Sequence, residues 1–499
     1  MDRYFDEVLN RDLHNARTIA SSEALDKARD ELVNQLPEAG LGDKATEKIL
    51  FDTIVPALAQ GHAGPRYFGF VTGGRTDISL LADHIVSNYD NNVQVHLPND
   101  TISTYVDSVA LDLVLDLLQI PRSTYPSKTL TTGATSSNIL GLALGRQSVI
   151  SRIKSSSSSS TSYSVSEEGF GGVEIDILCA GAHASIKKAA SIVGIGRARV
   201  VEVLKDESDP KYEEGRDVVA FNLVELEERL KTAMDEESGV IVCPAYGEVN
   251  TGAFTPDLPQ IRQLCDKYNA WLHLDAAFGG FGVLHPDFEE ELKIGLALAD
   301  SLTLDGHKWL NVPYDCGLFY TRHPDVHHAV CGPGANAPAY LATSSTSSIP
   351  SPLNVRLENS SRFRGLPLYA SLISHGASGY QTIVRRNMSF ARRLEAWIRS
   401  NEDYDILTPD PASTSFRVLN IVLFAPNSQC PVELFRNHES GGNRMCEEIN
   451  RSGEMYVTAT KWKGRSAARL AVSNHLTDID GERDFDIVTG RLKAIMGRK

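Results

Sequence analysis

Between Val173 and Thr321 short apolar runs alternate with helical patterns, and this alternation constrains the fold more than any other feature of the sequence. Strand-like runs are Val173–Cys179, Arg199–Val203, Gly239–Pro244, Trp271–Asp275, Ser301–Leu304 and Gly317–Thr321. Helical segments intervene, notably Ser185–Val193, Leu223–Met234 and Leu258–Tyr268. Strands separated by helices predict an α/β fold with a mainly parallel, doubly wound sheet, because a parallel pair needs a crossover long enough to hold a helix. Ligands of such sheets lie beyond the carboxyl ends of the strands.

The flanking sequence predicts three segments. Residues 1–64 read as an N-terminal helical arm, with apolar spacing at Leu32, Val33 and Leu36 and again at Ile49, Leu50, Ile54 and Leu58. Lacking an obvious core of its own, the arm is expected to pack on another body or on a partner subunit. Residues 65–365 form the large domain. Within it Val106, Val109, Leu113 and Leu117 recur at helical spacing as expected core positions, and Pro121 supplies a stop. Residues 366–499 read as a small α+β domain: a long helix through Leu394 and Trp397, a strand at Phe416–Phe424 and another near Arg469–Val472. The run Ser155–Ser160, extended by Thr161 and Ser162, cannot bury apolar surface and is expected to be a disordered insertion. The Gly/Ala/Pro-rich run from Gly332 to Ala339 and the Ser/Thr-rich stretch Thr343–Ser351 predict a mobile loop near 331–352, a lid over the site.

Composition permits an ordinary globular enzyme. With 499 residues, 42% hydrophobic and 23% charged, the chain can bury a large core. A formal net charge of -15 argues against nucleic-acid or anionic-membrane partners, which need dense Lys/Arg patches. The seven cysteines lack CxxC spacing, so neither a metal site nor a disulfide framework is indicated, and a reducing compartment fits. The start Met1-Asp2-Arg3-Tyr4 is not followed by an apolar stretch of signal type, and a cytoplasmic location is expected.

Chemistry enters with Asp305-Gly306-His307-Lys308, at the end of one apolar run, and Asp275, at the end of another. A lysine just beyond a buried strand can form an internal aldimine with a carbonyl cofactor, and an aspartate at a strand end can hold a protonated pyridine nitrogen. Pyridoxal 5'-phosphate requires both. Taken alone, a lysine after a short strand is usually a solvated cation, and Asp275 is what shifts that balance. The run from Thr131 to Asn138 precedes the helical stretch Ile139–Leu144, where small residues, hydroxyls and a helix N-terminus suit a phosphate; the plainer reading is a Ser/Thr-rich N-cap. His183 follows a third strand end and opens a helix, where an imidazole can stack on a pyridine ring and orient a substrate carboxylate.

Thr132-Gly133-Ala134-Thr135, His183, Asp275-Ala276-Ala277 and Asp305-Gly306-His307-Lys308-Trp309 together resemble the group II pyridoxal-phosphate-dependent amino-acid decarboxylases, a family that includes the aromatic-L-amino-acid, tyrosine, histidine and glutamate enzymes. The resemblance runs from Pro65-Arg66-Tyr67-Phe68 to Arg469-Leu470-Ala471-Val472. It implies an aspartate-aminotransferase-like fold, PLP fold type I, and a homodimer with its active sites at the subunit interface. By the same resemblance Lys308 is the aldimine lysine, Asp275 the pyridinium partner and His183 the stacking histidine. Gly133, Ala134 and Thr135 cradle the phosphate, while Ala277, Asp305 and His307 complete the cofactor set. Tyr340 stands where the family places a loop tyrosine that protonates the substrate carbon after CO2 leaves; related aldehyde synthases typically carry phenylalanine there.

Phe70, Val71, Thr72 and Arg364 are the candidates for substrate contact. Gly69-Phe70-Val71-Thr72-Gly73-Gly74 departs from the aromatic, proline-containing pocket segment of the aromatic decarboxylases, so aromatic, glutamate-like and aliphatic substrates stay open. Glu248 departs too, standing where relatives carry a small hydroxyl residue; its carboxylate either faces solvent or meets a cationic substrate group. An oxidative aldehyde synthase or another carbon–carbon lyase on the same scaffold, and a catalytically silent dimeric binding protein, are the alternative functions.

Overall fold

The computed structural model describes residues 9–157, 163–334 and 349–498. It resolves into two compact units, one formed by Arg75–Arg385 with Pro409–Leu419, the other by Met1–Gly74, Arg386–Thr408 and Asn420–Lys499.

The first unit holds a seven-stranded sheet: β1 Ser127–Thr131, β2 Ile175–Ala180, β3 Val200–Glu202, β4 Gly239–Pro244, β5 Trp271–Asp275, β6 Ser301–Asp305 and β7 Gly317–Thr321. Their order is β1-β7-β6-β5-β4-β2-β3. Neighbours from β3 to β6 pair in parallel, whereas β7 runs antiparallel to both β6 and β1. Every strand but β7 therefore points the same way. The mainly parallel sheet is as expected from the alternation of strands and helices. The additional strand, β1, reads Ser-Lys-Thr-Leu-Thr and lies at the sheet edge, where Lys128 pairs with Asp112 at 2.5 Å; its polar composition hid it.

Helix Ala134–Ser157 packs across this sheet through Leu140, Leu144 and Val149, which share a core with Ile177, Ile241 and Trp271. Each such side chain contributes about 1.5–3 kcal/mol by leaving water. Ser155–Ser157 continue this helix instead of opening a disordered run, since Ser is tolerated at an exposed helix end; residues 158–162 lie outside the described residues. In helix Ser103–Leu117 the buried side is Ala110, Leu111, Val114, Leu115 and Leu117, while Val106, Val109 and Leu113 are half-buried. The inward face is thus rotated from the expected one.

The second unit carries a four-stranded antiparallel sheet of β8 Tyr404–Ile406, β9 Ile421–Pro426, β10 Thr458–Trp462 and β11 Arg465–Ala471, in the order β10-β11-β9-β8. Helix Gly441–Arg451 packs on it. The strand expected from Phe416 begins only at Ile421, because Phe416–Leu419 belong to the first unit. The N-terminal residues join this unit: Arg66 pairs with buried Asp484 at 2.7 Å, and the rings of Tyr67 and Tyr456 stack 4.6 Å apart. Compactness therefore divides the chain after Gly74 and Arg385, and the divisions read from sequence at 64/65 and 365/366 do not coincide with it. Leu32, Val33 and Leu36 follow helix Ser22–Glu31 and are exposed, so they form no inward helical face.

Candidate active site

Period-two alternation puts Trp271, His273 and Asp275 on one face of β5, and Ser301, Thr303 and Asp305 on one face of β6. The parallel register pairs His273 with Ser301 and Asp275 with Thr303. Asp275 therefore ends its strand beside the strand that leads into Lys308. Asp275 accepts a hydrogen bond from Asn138 Nδ2 at 2.9 Å and another from the Ala277 amide at 3.3 Å, one on each carboxylate oxygen.

Lys308 Nζ lies 3.1 Å from Asp305 Oδ2 and 5.9 Å from the centre of the Phe278 ring. His307 Nδ1 accepts the Cys316 amide at 3.1 Å, which leaves the ring proton on Nε2, 3.5 Å from Asp305 Oδ2. Burial pushes the Asp305 carboxyl upward, yet the Lys308 ammonium and His307 outweigh it and hold the group at about 2. The phosphate-type loop meets the same corner. Gly133 has φ 150, and a Cβ there would fall 3.2 Å from His307 Cε1. From Ala134 a 24-residue helix begins; its first backbone bond runs from the Ser137 amide to the Gly133 carbonyl, so the amides of Ala134, Thr135 and Ser136 precede the helical ladder. His183 follows β2 with its ring exposed, and its Nδ1 accepts the Ser185 amide at 3.2 Å.

A family model described as "Pyridoxal-dependent decarboxylase conserved domain" matches residues 34–418. The chain belongs to this pyridoxal-dependent decarboxylase family. Among curated relatives, a phenylacetaldehyde synthase of a Rosa hybrid cultivar is 24% identical over 435 residues, covering 85% of this chain and 79% of that protein. Tryptophan decarboxylase 2 of Oryza sativa subsp. japonica is 24% identical over 464 residues, covering 90% and 85%. The solved structure of Oryza sativa TDC with PLP and tryptamine superposes with a TM-score of 0.78 at 21% identity, over 99% of this chain and 96% of that one. The shared fold is the aspartate-aminotransferase-like, fold type I arrangement.

The residues of this decarboxylase-family chain fit pyridoxal 5'-phosphate. Thr303 Oγ1 and Asp305 Oδ1, on the face that carries Asp275, are buried without a hydrogen-bond partner among the described residues, and such polar atoms call for a ligand. A lysine, a carboxylate and a helix N-terminus gather at the same sheet edge, matching a carbonyl, a pyridinium and a phosphate.

The substrate candidates divide. Arg364 donates to Asp315 from Nε at 2.7 Å and from Nη2 at 3.3 Å, and Tyr314, next to Asp315, stacks on His307 with ring centres 4.3 Å apart. Phe70, Val71 and Thr72 belong to the other unit. Phe70 and Val71 have φ of 54 and 57, and Phe70 is 58% exposed while Val71 and Thr72 are buried. Two successive non-glycine residues in the left-handed region cost about 1–3 kcal/mol each. Glu248 neither faces solvent nor awaits a cation: it is buried and accepts from the amides of Asn250 and Thr251, the Asn250 Nδ2 and the Thr251 hydroxyl at 2.8–3.0 Å. Tyr340 lies outside the described residues. Asn138, Ser185, His273 and Ser301 escaped sequence reasoning as functional residues. The signals were present: His273 shares a strand face with Asp275, and Asn138, Gly141 and Gly145 share a helix face.

Proposed function

We propose that this chain catalyses pyridoxal-phosphate-dependent decarboxylation of an L-amino acid to the primary amine and CO2, with an aromatic amino acid as the first substrate to test. The observation that carries this reading is the placement of Asp275 and Lys308 beyond the carboxyl ends of adjacent parallel strands, in a chain that matches the family over residues 34–418. When bound, the cofactor supplies an electron sink for the pair left behind as the carboxylate departs. Lys308 would hold the cofactor by its carbonyl carbon. Asp275, which accepts from Asn138 and the Ala277 amide, would accept the pyridine N–H. His183 would stack on the ring, and Gly133, Ala134, Thr135 and His307 would hold the phosphate, with Ala277 and Asp305 holding Asp275 and Lys308. Phe70, Val71 and Thr72 stay candidates for substrate contact, and Arg364 supports the substrate side through Asp315 and Tyr314. Tyr340 delivers the proton that completes the amine.

A homodimer with active sites at the subunit interface suits the surface. Ile78, Leu81, Ile85 and Tyr89 are exposed along one side of helix Asp77–Tyr89, next to the side that buries Ser79, Ala82 and Val86. Large apolar side chains so aligned call for a partner. The cysteines are unpaired thiols, which suits the cytoplasm. An oxidative aldehyde synthase is the second reading, favoured by the likeness to the rose phenylacetaldehyde synthase.

The test is incubation of cofactor-loaded protein with a panel of L-amino acids, following amine, aldehyde, CO2 and peroxide together. Amine with CO2 is the expected result. Aldehyde with peroxide transfers the assignment to oxidative chemistry, and no carbon–carbon cleavage of any panel member overturns both.

A further inference from the structure

A continuous hydrogen-bonded chain runs through the sheet to the two groups expected to hold the cofactor ring. It begins at Trp271, whose indole Nε1–H donates to Ser301 Oγ at 3.0 Å. Ser301 Oγ then lies 2.8 Å from His273 Nδ1, and His273 Nε2 lies 2.9 Å from Asn138 Oδ1. The Asn138 amide nitrogen donates twice, to Asp275 Oδ2 at 2.9 Å and to Ser185 Oγ at 3.0 Å. Ser185 Oγ in turn is 2.8 Å from His183 Nδ1.

A carboxylate can only accept, so the Asn138 amide nitrogen faces Asp275 and its oxygen faces His273 Nε2, which must donate. A neutral His273 then accepts at Nδ1, and the Ser185 amide, which donates to His183 Nδ1, sets the direction of that branch. Ser301 accepts from Trp271 and gives its proton to His273 Nδ1. His273 therefore carries its own proton on Nε2 and donates it to the Asn138 carbonyl oxygen, which turns both amide protons of Asn138 toward the site. Ser185 accepts one of them and donates to His183 Nδ1, leaving the His183 ring proton on Nε2. Burial pushes the His273 imidazolium down to about 4, in keeping with a neutral ring at this position. Asn138, His273 and Ser301 are fully buried. Gly141 makes room for the ring: a Cβ there would fall 2.1 Å from His273 Cε1.

We infer that Asn138 is the positioning residue that aims Asp275 and His183 together at the cofactor ring, with Trp271, Ser301 and His273 setting its orientation. The inference rests on the pyridoxal-phosphate reading of Asp275 and His183 given above. It adds a requirement that reading does not contain: the pyridine partner and the stacking imidazole answer to one amide.

The test combines cofactor titration with 15N NMR of the histidines in the apo-protein, with thermal unfolding as the control for folding. In the wild-type protein His273 and His183 should both be neutral with the proton on Nε2. Asn138→Ala should raise the pyridoxal-phosphate dissociation constant about ten- to hundred-fold, because a hydrogen bond to a charged group is lost, while the Ser185 amide still donates to His183 Nδ1 and should keep that ring protonated on Nε2. His273→Gln keeps an N–H donor toward Asn138 and should recover binding to within about threefold of wild type, whereas His273→Leu should not. Ser185→Ala removes the hydroxyl contact to His183 and leaves the Asn138–Asp275 bond, so its loss of cofactor affinity should be smaller than that of Asn138→Ala. Wild-type cofactor affinity in a folded Asn138→Ala protein would overturn the inference while leaving the cofactor reading intact, and so would a wild-type His273 protonated on Nδ1, a result that needs no variant to fold. A wild-type chain that binds no pyridoxal phosphate would overturn both.

Discussion

At the scale of the residue, the site is a set of charges held ionised by their neighbours. Lys308 and His307 keep buried Asp305 anionic, and Asn138 with the Ala277 amide donates to the Asp275 oxygens. Lys308→Ala should abolish turnover and the visible absorbance of lysine-bound cofactor; wild-type-like turnover in that variant would refute the role of Lys308. Tyr340→Phe should divert product from amine toward aldehyde and peroxide, because without the proton donor dioxygen would take two electrons from the decarboxylated substrate, and water would then release aldehyde and ammonia. An unchanged amine yield, measured by mass spectrometry, would remove Tyr340 from the mechanism. Arg364 shows how local context divides a residue: Nε and Nη2 engage Asp315, next to the Tyr314 that stacks on His307, while Nη1 is buried without a partner among the described residues.

At the scale of the element, the helix Ala134–Ser157 does two jobs, presenting its N-terminus to the phosphate side and bringing Asn138 down onto the sheet. The close approach depends on absent side chains. Gly141→Ala would put a methyl group into the His273 ring, so it should destabilise the fold by about 1–3 kcal/mol and weaken cofactor binding. Gly490→Ala is the contrast, since a Cβ there meets nothing within 4 Å inside helix Arg483–Ile495, and it should stabilise by about 0.5–1 kcal/mol. Thermal unfolding of the two variants checks the pair, and equal midpoints would refute the packing argument.

At the scale of the whole molecule, buried histidines couple stability to pH. His273 and His327 are both driven by burial to about 4, from an ordinary value of 6.5. An unfolded chain therefore takes up protons that the folded chain refuses, and stability is lost as pH falls from about 6.5 to 4. Asp305, held at about 2, adds stability that is present above the ordinary value of 3.8 and is lost as pH falls toward 2. His327 hydrogen-bonds Ser127 and the Val355 carbonyl, so it reports without touching the candidate site. His327→Gln should flatten the acid limb of the unfolding profile by up to about 3 kcal/mol; an unchanged limb would assign the acid sensitivity elsewhere. The exposed row on helix Asp77–Tyr89 makes a second prediction at this scale. Ile85→Asp should shift sedimentation toward the monomer, and an undisturbed dimer would show that this face is not the interface.

The sequence by itself determined the sheet and its active edge. Strand-length apolar runs with helices between them can close only by crossovers, and β4, β5 and β7 end at the residues read from the pattern, which brings Asp275 and Lys308 to strand ends. The edge strand β1 was illegible because its residues are largely polar and gain strand structure only by pairing, and Tyr404–Ile406 because three residues are too few to show an alternation. Tertiary structure alone decided which polar residues meet. Asn138 and His273 are 135 positions apart, and Glu248 looks like a solvent-facing or substrate-facing charge until its own turn closes around it. Periodicity records which face a side chain occupies; the partner it finds there depends on how closely a second element approaches, and in this chain that distance is set by the missing Cβ of Gly141.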